Sequence, residues 1–448
     1  MSLESFPSDL KISLSGVRGI VDRSFTPELV RRFGQAFGQL VKGGKVLLAR
    51  DTRPTGVSYL DLLSEILVRA GCEVIEIGIC PTPTLLWAVR HLRAAGGIML
   101  TASHNPSEWN GLKFVDADGQ FLGEARMRRL LRFTEQEQIS RGRRGSHRQN
   151  RTVLCRYMEA ILAHVDRGAI RRRRFKVAID PCNGAGAVLT PAFLEALGCR
   201  IHAINKQPDG RFAHPPEPIP AHLTQLSRLV RNKRADIGFA QDPDADRLAL
   251  VTEEGTPLSG EYTLALAVQE VLARKRGPVV VNLSTSRMVE ELAGRAKVPF
   301  YRTRIGERHV VEKMMRVRAV IGGEGNGGVI YPEINPARDS FVGIALLLQS
   351  LSSGARLSRR LKFLPASVML QERLLLKRLP SLKKVGELLK RRYPEGRLDR
   401  QDGIRLEIRS GWVHIRPSNT EPLVRVVAED RTEQGAKRFI QEAISILS

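Results

Sequence analysis

The sequence predicts an α/β protein of several domains, three of them built on one repeated layered pattern and followed by a smaller α+β unit. Length is the first reason: 448 residues exceed the roughly 250 to 300 at which a single core stops growing. A repeat is the second, because an apolar strand, a small polar turn, an amphipathic helix and a second strand occur three times. The third is the C-terminus, where apolar and polar residues alternate with the period of hairpin strands.

The first repeat opens at Gly44 with G-K-V-L-L-A-R-D-T-R-P-T-G, continues into the helical S-Y-L-D-L-L-S-E-I-L-V-R-A-G and closes with C-E-V-I-E-I-G. The second runs from R-F-K-V-A-I-D-P-C-N-G-A-G through L-T-P-A-F-L-E-A-L-G to C-R-I-H-A-I-N. The third runs from G-P-V-V-V-N-L-S-T-S through R-M-V-E-E-L-A-G-R-A to V-P-F-Y-R-T-R. Each predicts a unit whose active turn lies at the carboxyl end of a strand. G-I-R-L-E-I-R, W-V-H-I-R and L-V-R-V-V-A-E-D then predict strands, with a helix from about Thr432 to Leu447. The basic stretch 141–151, residues 253–260 and the region around 364–367 read as linkers, giving domains at 1–150, 151–256, 257–366 and 367–448.

Five scattered cysteines, none in a C-x-x-C pair, predict neither a disulfide framework nor a zinc site, and favour a reducing cytosol. No secretory signal is visible, and no run approaches the roughly 18 apolar residues that span a bilayer. A cytoplasmic protein without a membrane partner is expected. The balance of 71 Lys+Arg against 47 Asp+Glu leaves a net charge of +24. A solvated basic surface explains this best, steering of small anions second and nucleic acid third. The basic runs lack the interleaved aromatics on which single strands stack.

Four constellations carry chemistry. In D-P-D-A-D-R, alternate side chains of an extended segment share a face, so Asp242, Asp244 and Asp246 can converge. Three carboxylates repel one another unless a hard cation sits among them, which suits Mg²⁺ ahead of Ca²⁺. An EF-hand would place Glu253 at position 12, but Arg247 occupies its glycine position and the flanks read as strands. A polar turn is the bland alternative. In G-G-E-G-N-G-G, Glu324 and Asn326 suit sugar hydroxyls, although glycine-rich turns are mostly just turns. In R-P-S-N-T-E-P, Arg416, Ser418, Asn419 and Thr420 fit a phosphate nest, and a Pro-bounded hairpin connection fits equally.

The fourth, T-A-S-H-N-P, sets Ser103 beside His104. On an extended strand neighbouring side chains point apart, so His104 is poorly placed to deprotonate Ser103, and no nucleophile elbow is present. A helix N-cap at Ser103 is poorly followed by Pro106. What remains is a loop presenting a hydroxyl, with His104 and Lys113 nearby. Beside a metal cluster and a phosphate nest, it reads as a phosphoryl carrier.

These four motifs, in this order and across essentially the whole chain, resemble the α-D-phosphohexomutases, the superfamily of phosphoglucomutase, phosphomannomutase and phosphoglucosamine mutase. The resemblance implies four domains around a central cleft and an intramolecular phosphotransferase acting on hexose 1- and 6-phosphates. It implies that Ser103 carries the phosphoryl group, that Asp242, Asp244, Asp246 and a phosphoserine oxygen hold Mg²⁺, and that Arg247 lies beside them. Lys113 matches the family's general acid/base, His104 its neighbouring histidine and Arg18 its N-terminal arginine. Gly306, Glu307 and Arg308 match a third-domain loop, Glu324 and Asn326 the sugar loop, and Arg416, Ser418, Asn419 and Thr420 the phosphate loop. A sugar bisphosphate would serve as activator and intermediate, in a monomer or homodimer.

Two departures stand out. Asn326 and Gly328 occupy positions where bacterial members often carry Ser and His. The N-terminal S-G-V-R-G-I also lacks the Asp of the G-T-D-G-I-R-G form typical of bacterial phosphoglucosamine mutases. Both point to glucose or mannose phosphates first, with glucosamine phosphates as the alternative.

Overall fold

A computed structural model describes residues 6–7, 9–136, 144–375, 381–417 and 423–447, which fall into two compact units. The first comprises residues up to 263 together with 326–360. Its first sheet has seven strands, ordered Lys11–Ser13, Gly16–Ile20, Trp109–Asp116, Gly96–Leu100, Lys45–Arg50, Glu73–Ile79 and Ser146–Gln149. Strand Lys45–Arg50 lies parallel to both neighbours, and Val46, Leu47, Leu48 and Ala49 are wholly buried. That continuous apolar run is what a strand covered on both faces requires. Helix Pro27–Leu40 starts where Thr26 caps the Leu29 amide and Pro27 pre-sets the first turn. Its Phe33 and Phe37 stack against Phe114 of the sheet.

The second sheet is ordered Pro257–Leu258, Leu248–Val251, Ile237–Gln241, Lys176–Asp180 and Arg200–Ala203. Strand Ile237–Gln241 runs parallel to Lys176–Asp180 and antiparallel to Leu248–Val251, so a tight turn must join it to the latter. That turn is 242–247. Close by, a Cβ on Gly184 would lie 2.6 Å from the Pro243 backbone, so only glycine lets these two turns pack. The hairpin Gly328–Tyr331 with Asn335–Arg338 and the wholly buried helix Ser340–Leu351 complete the unit.

In the second unit, strand Val279–Asn282 is parallel to Phe300–Thr303 and to Ile321–Glu324, with helices Arg287–Arg295 and Glu307–Val317 between them in sequence. The C-terminal sheet is antiparallel throughout, ordered Val368–Leu375, Leu423–Asp430, Gly411–Pro417, Ile404–Glu407 and Arg397–Asp399, and helix Glu433–Leu447 packs on it through Phe439, Ile440 and Ala443. The chain is thus an α/β protein with three mixed α/β domains and a C-terminal antiparallel one.

One expectation needs correction. Within the expected 141–151 linker, Ser146–Gln149 forms an edge strand parallel to Glu73–Ile79. It has no apolar alternation because all four residues are exposed. It is held by the ladder and by His147–Glu76 and Arg148–Glu73 pairs at 3.0 and 3.2 Å, a charged edge that discourages pairing with other chains. No described helix is long and apolar enough to cross a membrane.

Candidate active site

Ser103 follows strand Gly96–Leu100, but the chain does not stay extended: Ser103 has a left-handed backbone at φ +52°. Two local bonds close the turn. The Ser103 N–H donates to Thr101 Oγ1 at 2.9 Å, and the Asn105 N–H donates to Ala102 O at 3.2 Å. The expectation that Ser103 and His104 point apart is therefore overturned: Ser103 Oγ lies 3.4 Å from His104 Nδ1. The same hydroxyl lies 3.2 Å from Asp242 Oδ2.

The three aspartates converge, through a turn rather than through the pleat of a strand. Ala245 is left-handed at φ +54° and its N–H donates to Asp242 O at 2.9 Å. Asp242 Oδ1 accepts the amides of Asp246 and Arg247 at 3.0 and 3.1 Å. One oxygen from each carboxylate lies within 4.8 Å of the others, and all three side chains are buried. Asp244 Oδ1 and Asp246 Oδ1 accept no hydrogen bond. Buried acceptors are nearly always bonded, so two free oxygens in a cluster of three carboxylates fit a hard divalent cation such as Mg²⁺.

Cations surround the cluster. Lys113 Nζ donates to Asp244 Oδ2 at 2.5 Å and Asp246 Oδ2 at 3.2 Å. Arg338 Nη2 donates to Asp246 Oδ2 at 2.7 Å, and Arg247 Nη1 to Glu217 Oε1 at 2.9 Å. Arg18 pairs across the ladder with Gly111, two residues from Lys113, so both side chains share one face of the sheet. Its Nη1 reaches Ala102 O at 3.4 Å and Asn105 Oδ1 at 3.3 Å.

Titration follows from this arrangement. Burial, and then Asp246 and Asp244, push the Asp242 carboxyl well above the usual range. Burial would raise Asp244 and Asp246 too, but Lys113 beside the first and Arg338 beside the second bring both below it. Burial lowers the Lys113 ammonium, and Asp244 and Asp246 more than restore it. Burial together with Arg247 and Arg18 holds His104 well below an ordinary histidine, leaving a neutral imidazole.

The second unit holds most of the remaining described residues. Glu324 Oε1 accepts from Asn282 Nδ2 at 2.8 Å and from the Gly306 N–H at 3.1 Å. Glu307 and Arg308 open helix Glu307–Val317, and Arg308 Nε donates to Glu312 Oε1 at 2.7 Å. Arg416 Nε donates to Asp402 Oδ1 at 2.8 Å, while Asp402 Oδ2 accepts the Ile305 N–H at 3.0 Å. One carboxylate thus ties the arginine to the I-G-E-R loop. Asn326, part of the first unit, is exposed and accepts the Gly328 N–H at 3.2 Å. Ser418, Asn419 and Thr420 lie outside the described residues.

Arg338, Thr82, Glu217 and Asp402 touch these groups but carry no motif of their own. Thr82 Oγ1 donates to Asp244 Oδ2 at 2.6 Å across 162 positions of sequence, so only folding reveals it.

Comparison with known proteins agrees with this geometry. The chain matches the phosphoglucomutase/phosphomannomutase family over all four of its parts: alpha/beta/alpha domain I at residues 10–140, domain II at 155–255, domain III at 259–367 and the C-terminal domain at 369–446. It is 35% identical to a phosphoglucomutase/phosphomannomutase of Thermococcus kodakarensis, covering 96% of this chain and 97% of that one. It is equally, 35%, identical to a probable phosphoglucosamine mutase of Methanopyrus kandleri, covering 97% and 96%. A crystal structure of a phosphoglucomutase/phosphomannomutase family protein from Burkholderia thailandensis superposes with a TM-score of 0.85 at 26% identity, covering 98% of each chain. The ordered motifs, the buried carboxylate cluster beside a serine hydroxyl and the four-part match together place the chain in the α-D-phosphohexomutase superfamily, as a phosphohexomutase and thus an intramolecular phosphotransferase.

Proposed function

We propose that the chain interconverts hexose 1-phosphate and hexose 6-phosphate of glucose and mannose through a phosphorylated Ser103 and a bisphosphorylated sugar. The observation that carries this reading is Ser103 Oγ 3.2 Å from Asp242, at the rim of a carboxylate cluster with two free buried oxygens. In the forward half the Ser103 O–P bond breaks, a sugar O–P bond forms, and the sugar hydroxyl gives up its proton. In the return half the other phosphoryl group passes back to Ser103. Asp242, Asp244 and Asp246, with a phosphoserine oxygen, would hold Mg²⁺, which neutralises charge on the transferring phosphoryl group.

The other residues position and discharge. Lys113 takes the hydroxyl proton once it has released the one that Asp244 and Asp246 hold on it, with His104 alongside, and Arg18 and Arg247 face the transferring phosphate. Glu324, Asn326 and the loop Gly306, Glu307, Arg308 take the sugar hydroxyls. Arg416, with Ser418, Asn419 and Thr420, grips the distal phosphate, so that the bisphosphate can turn without leaving.

Glucosamine phosphates are the second reading, supported by relatives named phosphoglucosamine mutase at the same identity. Glucose, mannose and glucosamine phosphates assayed side by side, with Mg²⁺ and a catalytic sugar bisphosphate, decide between them. Sustained turnover is expected on glucose or mannose phosphates and is expected to vanish in Ser103→Ala. Absence of turnover on all three substrates would overturn the proposal.

A further inference from the structure

The R-D-T-R turn that closes strand Lys45–Arg50 has no place in the chemistry above, yet it holds one of the most deeply buried arginines of the first unit. Arg53 is 0% exposed. Its Nη2 donates to Ser103 O at 2.9 Å and to Asn105 O at 2.7 Å, and its Nη1 donates to Pro106 O at 2.6 Å. Its Nε donates to Asp51 Oδ2 at 3.1 Å. A guanidinium has five N–H donors, and four of them are committed here. Three go to carbonyls of the single segment that carries Ser103.

Asp51 holds the other side of the same peptide. Its Oδ2 accepts Thr101 Oγ1–H at 2.6 Å, and Thr101 Oγ1 in turn accepts the Ser103 N–H at 2.9 Å. The amide and the carbonyl of Ser103 are therefore both fixed, one through Thr101 and one by Arg53. This holds the serine in its left-handed conformation, a state that costs a non-glycine residue free energy unless its surroundings enforce it. The guanidinium is itself held: Phe212 covers it with ring centroid 5.0 Å from Cζ, and the Arg53 N–H donates to Asp51 Oδ1 at 2.9 Å.

We propose that Arg53, oriented by Asp51, is a positioning residue for phosphoryl transfer: it clamps the carbonyls of Ser103, Asn105 and Pro106 so that Ser103 Oγ stays aimed at the carboxylate cluster. The inference rests on the phosphoserine reading. It adds that the aim of the serine is set by a buried arginine that touches neither substrate nor metal. A loose serine loop would still bind sugar phosphate, since the sugar contacts proposed above lie elsewhere in the chain. It would transfer phosphate slowly, because a displacement of about 1 Å at a reacting atom costs on the order of a hundredfold.

The test is Arg53→Lys, which keeps the charge but cannot span three carbonyls with a planar fork. A second variant, Thr101→Val, removes the hydroxyl relay with little change of shape and serves if the first folds poorly. We expect kcat to fall about tenfold to a hundredfold with KM for the sugar phosphate within about twofold. We also expect the stoichiometric phosphorylation of dephosphorylated Ser103 by sugar bisphosphate, followed by intact mass, to slow by the same factor. Amide hydrogen exchange across 101–106 should accelerate at least about tenfold, a readout independent of turnover. It remains informative even if the mutase assignment fails. Unchanged exchange in that segment overturns the clamp. So does a fall in thermal stability with kcat per folded molecule unchanged, or a loss expressed wholly in KM.

Discussion

Asp402 shows how far a single carboxylate can matter without touching substrate. It receives Arg416 Nε on one oxygen and the Ile305 N–H on the other, so the proposed phosphate grip and the I-G-E-R loop share one anchor. Asp402→Asn keeps the shape, and its NH₂ faces one of these two donors. We expect KM for hexose phosphate to rise about tenfold with kcat changed less, measured by steady-state kinetics at saturating Mg²⁺. No motif marks Asp402, because its partners come from segments 97 and 14 residues away. Arg416 itself was legible from its setting in R-P-S-N-T-E-P. His414, two residues earlier, supports the same anchor: Nε2–H donates to Asp402 O at 2.6 Å and Nδ1 lies 2.8 Å from Ser284 Oγ, whose hydroxyl can donate to it. Both bonds can form with the ring neutral or charged, so it is burial that favours the neutral form. Burial pulls the group from 6.5 down to about 4. Between those values the unfolded chain binds the extra proton, so stability is fully present above pH 6.5 and declines as pH falls toward 4. The loss should reach roughly 3 kcal/mol, and His414→Gln should flatten it in denaturant titrations followed by intrinsic tryptophan fluorescence.

Turns rather than strands and helices decide the site. The repeated strand–turn–helix units were legible because short continuous apolar runs alternate with segments of helical period 3.6, and the observed strands Lys45–Arg50, Lys176–Asp180 and Val279–Asn282 coincide with those runs. The geometry of the turns between them was not. D-P-D-A-D-R converges because Ala245 adopts a left-handed backbone, and Ser103 meets His104 for the same reason. Neither residue type advertises that conformation; at Ser103 it is enforced locally by Thr101 and at long range by Asp51 and Arg53. The N-terminus of helix Thr82–His91 adds another support: the Thr82 N–H donates to Asp244 O at 2.9 Å and its hydroxyl to Asp244 Oδ2 at 2.6 Å. Partners of this kind orient a metal ligand and typically contribute 10- to 100-fold in affinity. Thr82→Val should therefore raise the Mg²⁺ concentration giving half-maximal activity by about tenfold, with maximal activity at saturating Mg²⁺ largely restored. Titration of the metal-stripped variant against wild type checks it, and an unchanged midpoint would remove Thr82 from that role.

At the scale of the whole molecule, the charge was plain in the composition but its distribution was not. Four of the cations in the first unit, Arg18, Lys113, Arg247 and Arg338, are drawn in toward three buried carboxylates. Many of the rest stay at the surface, including the exposed Arg171, Arg172, Arg173 and Arg174 that end helix Arg167–Arg173 and cap it. Basic residues in a last helical turn face the negative end of the helix dipole, so part of the excess is structural and local. If the remainder of the net +24 does more than solvate the surface, it acts at a distance on a dianionic sugar phosphate. Such steering speeds encounter rather than tightening the bound state, and salt weakens it as the Debye length shrinks from about 30 Å at 0.01 M to about 8 Å at 0.15 M. kcat/KM should therefore fall severalfold, roughly, across that range of inert salt, while kcat stays nearly constant because chemistry proceeds among buried groups that salt screens little. The measurement is a series of progress curves at fixed Mg²⁺ and rising inert-salt concentration. A flat kcat/KM would show that the surface charge serves the fold and its solubility alone, and that capture of substrate depends only on the arginines near the site.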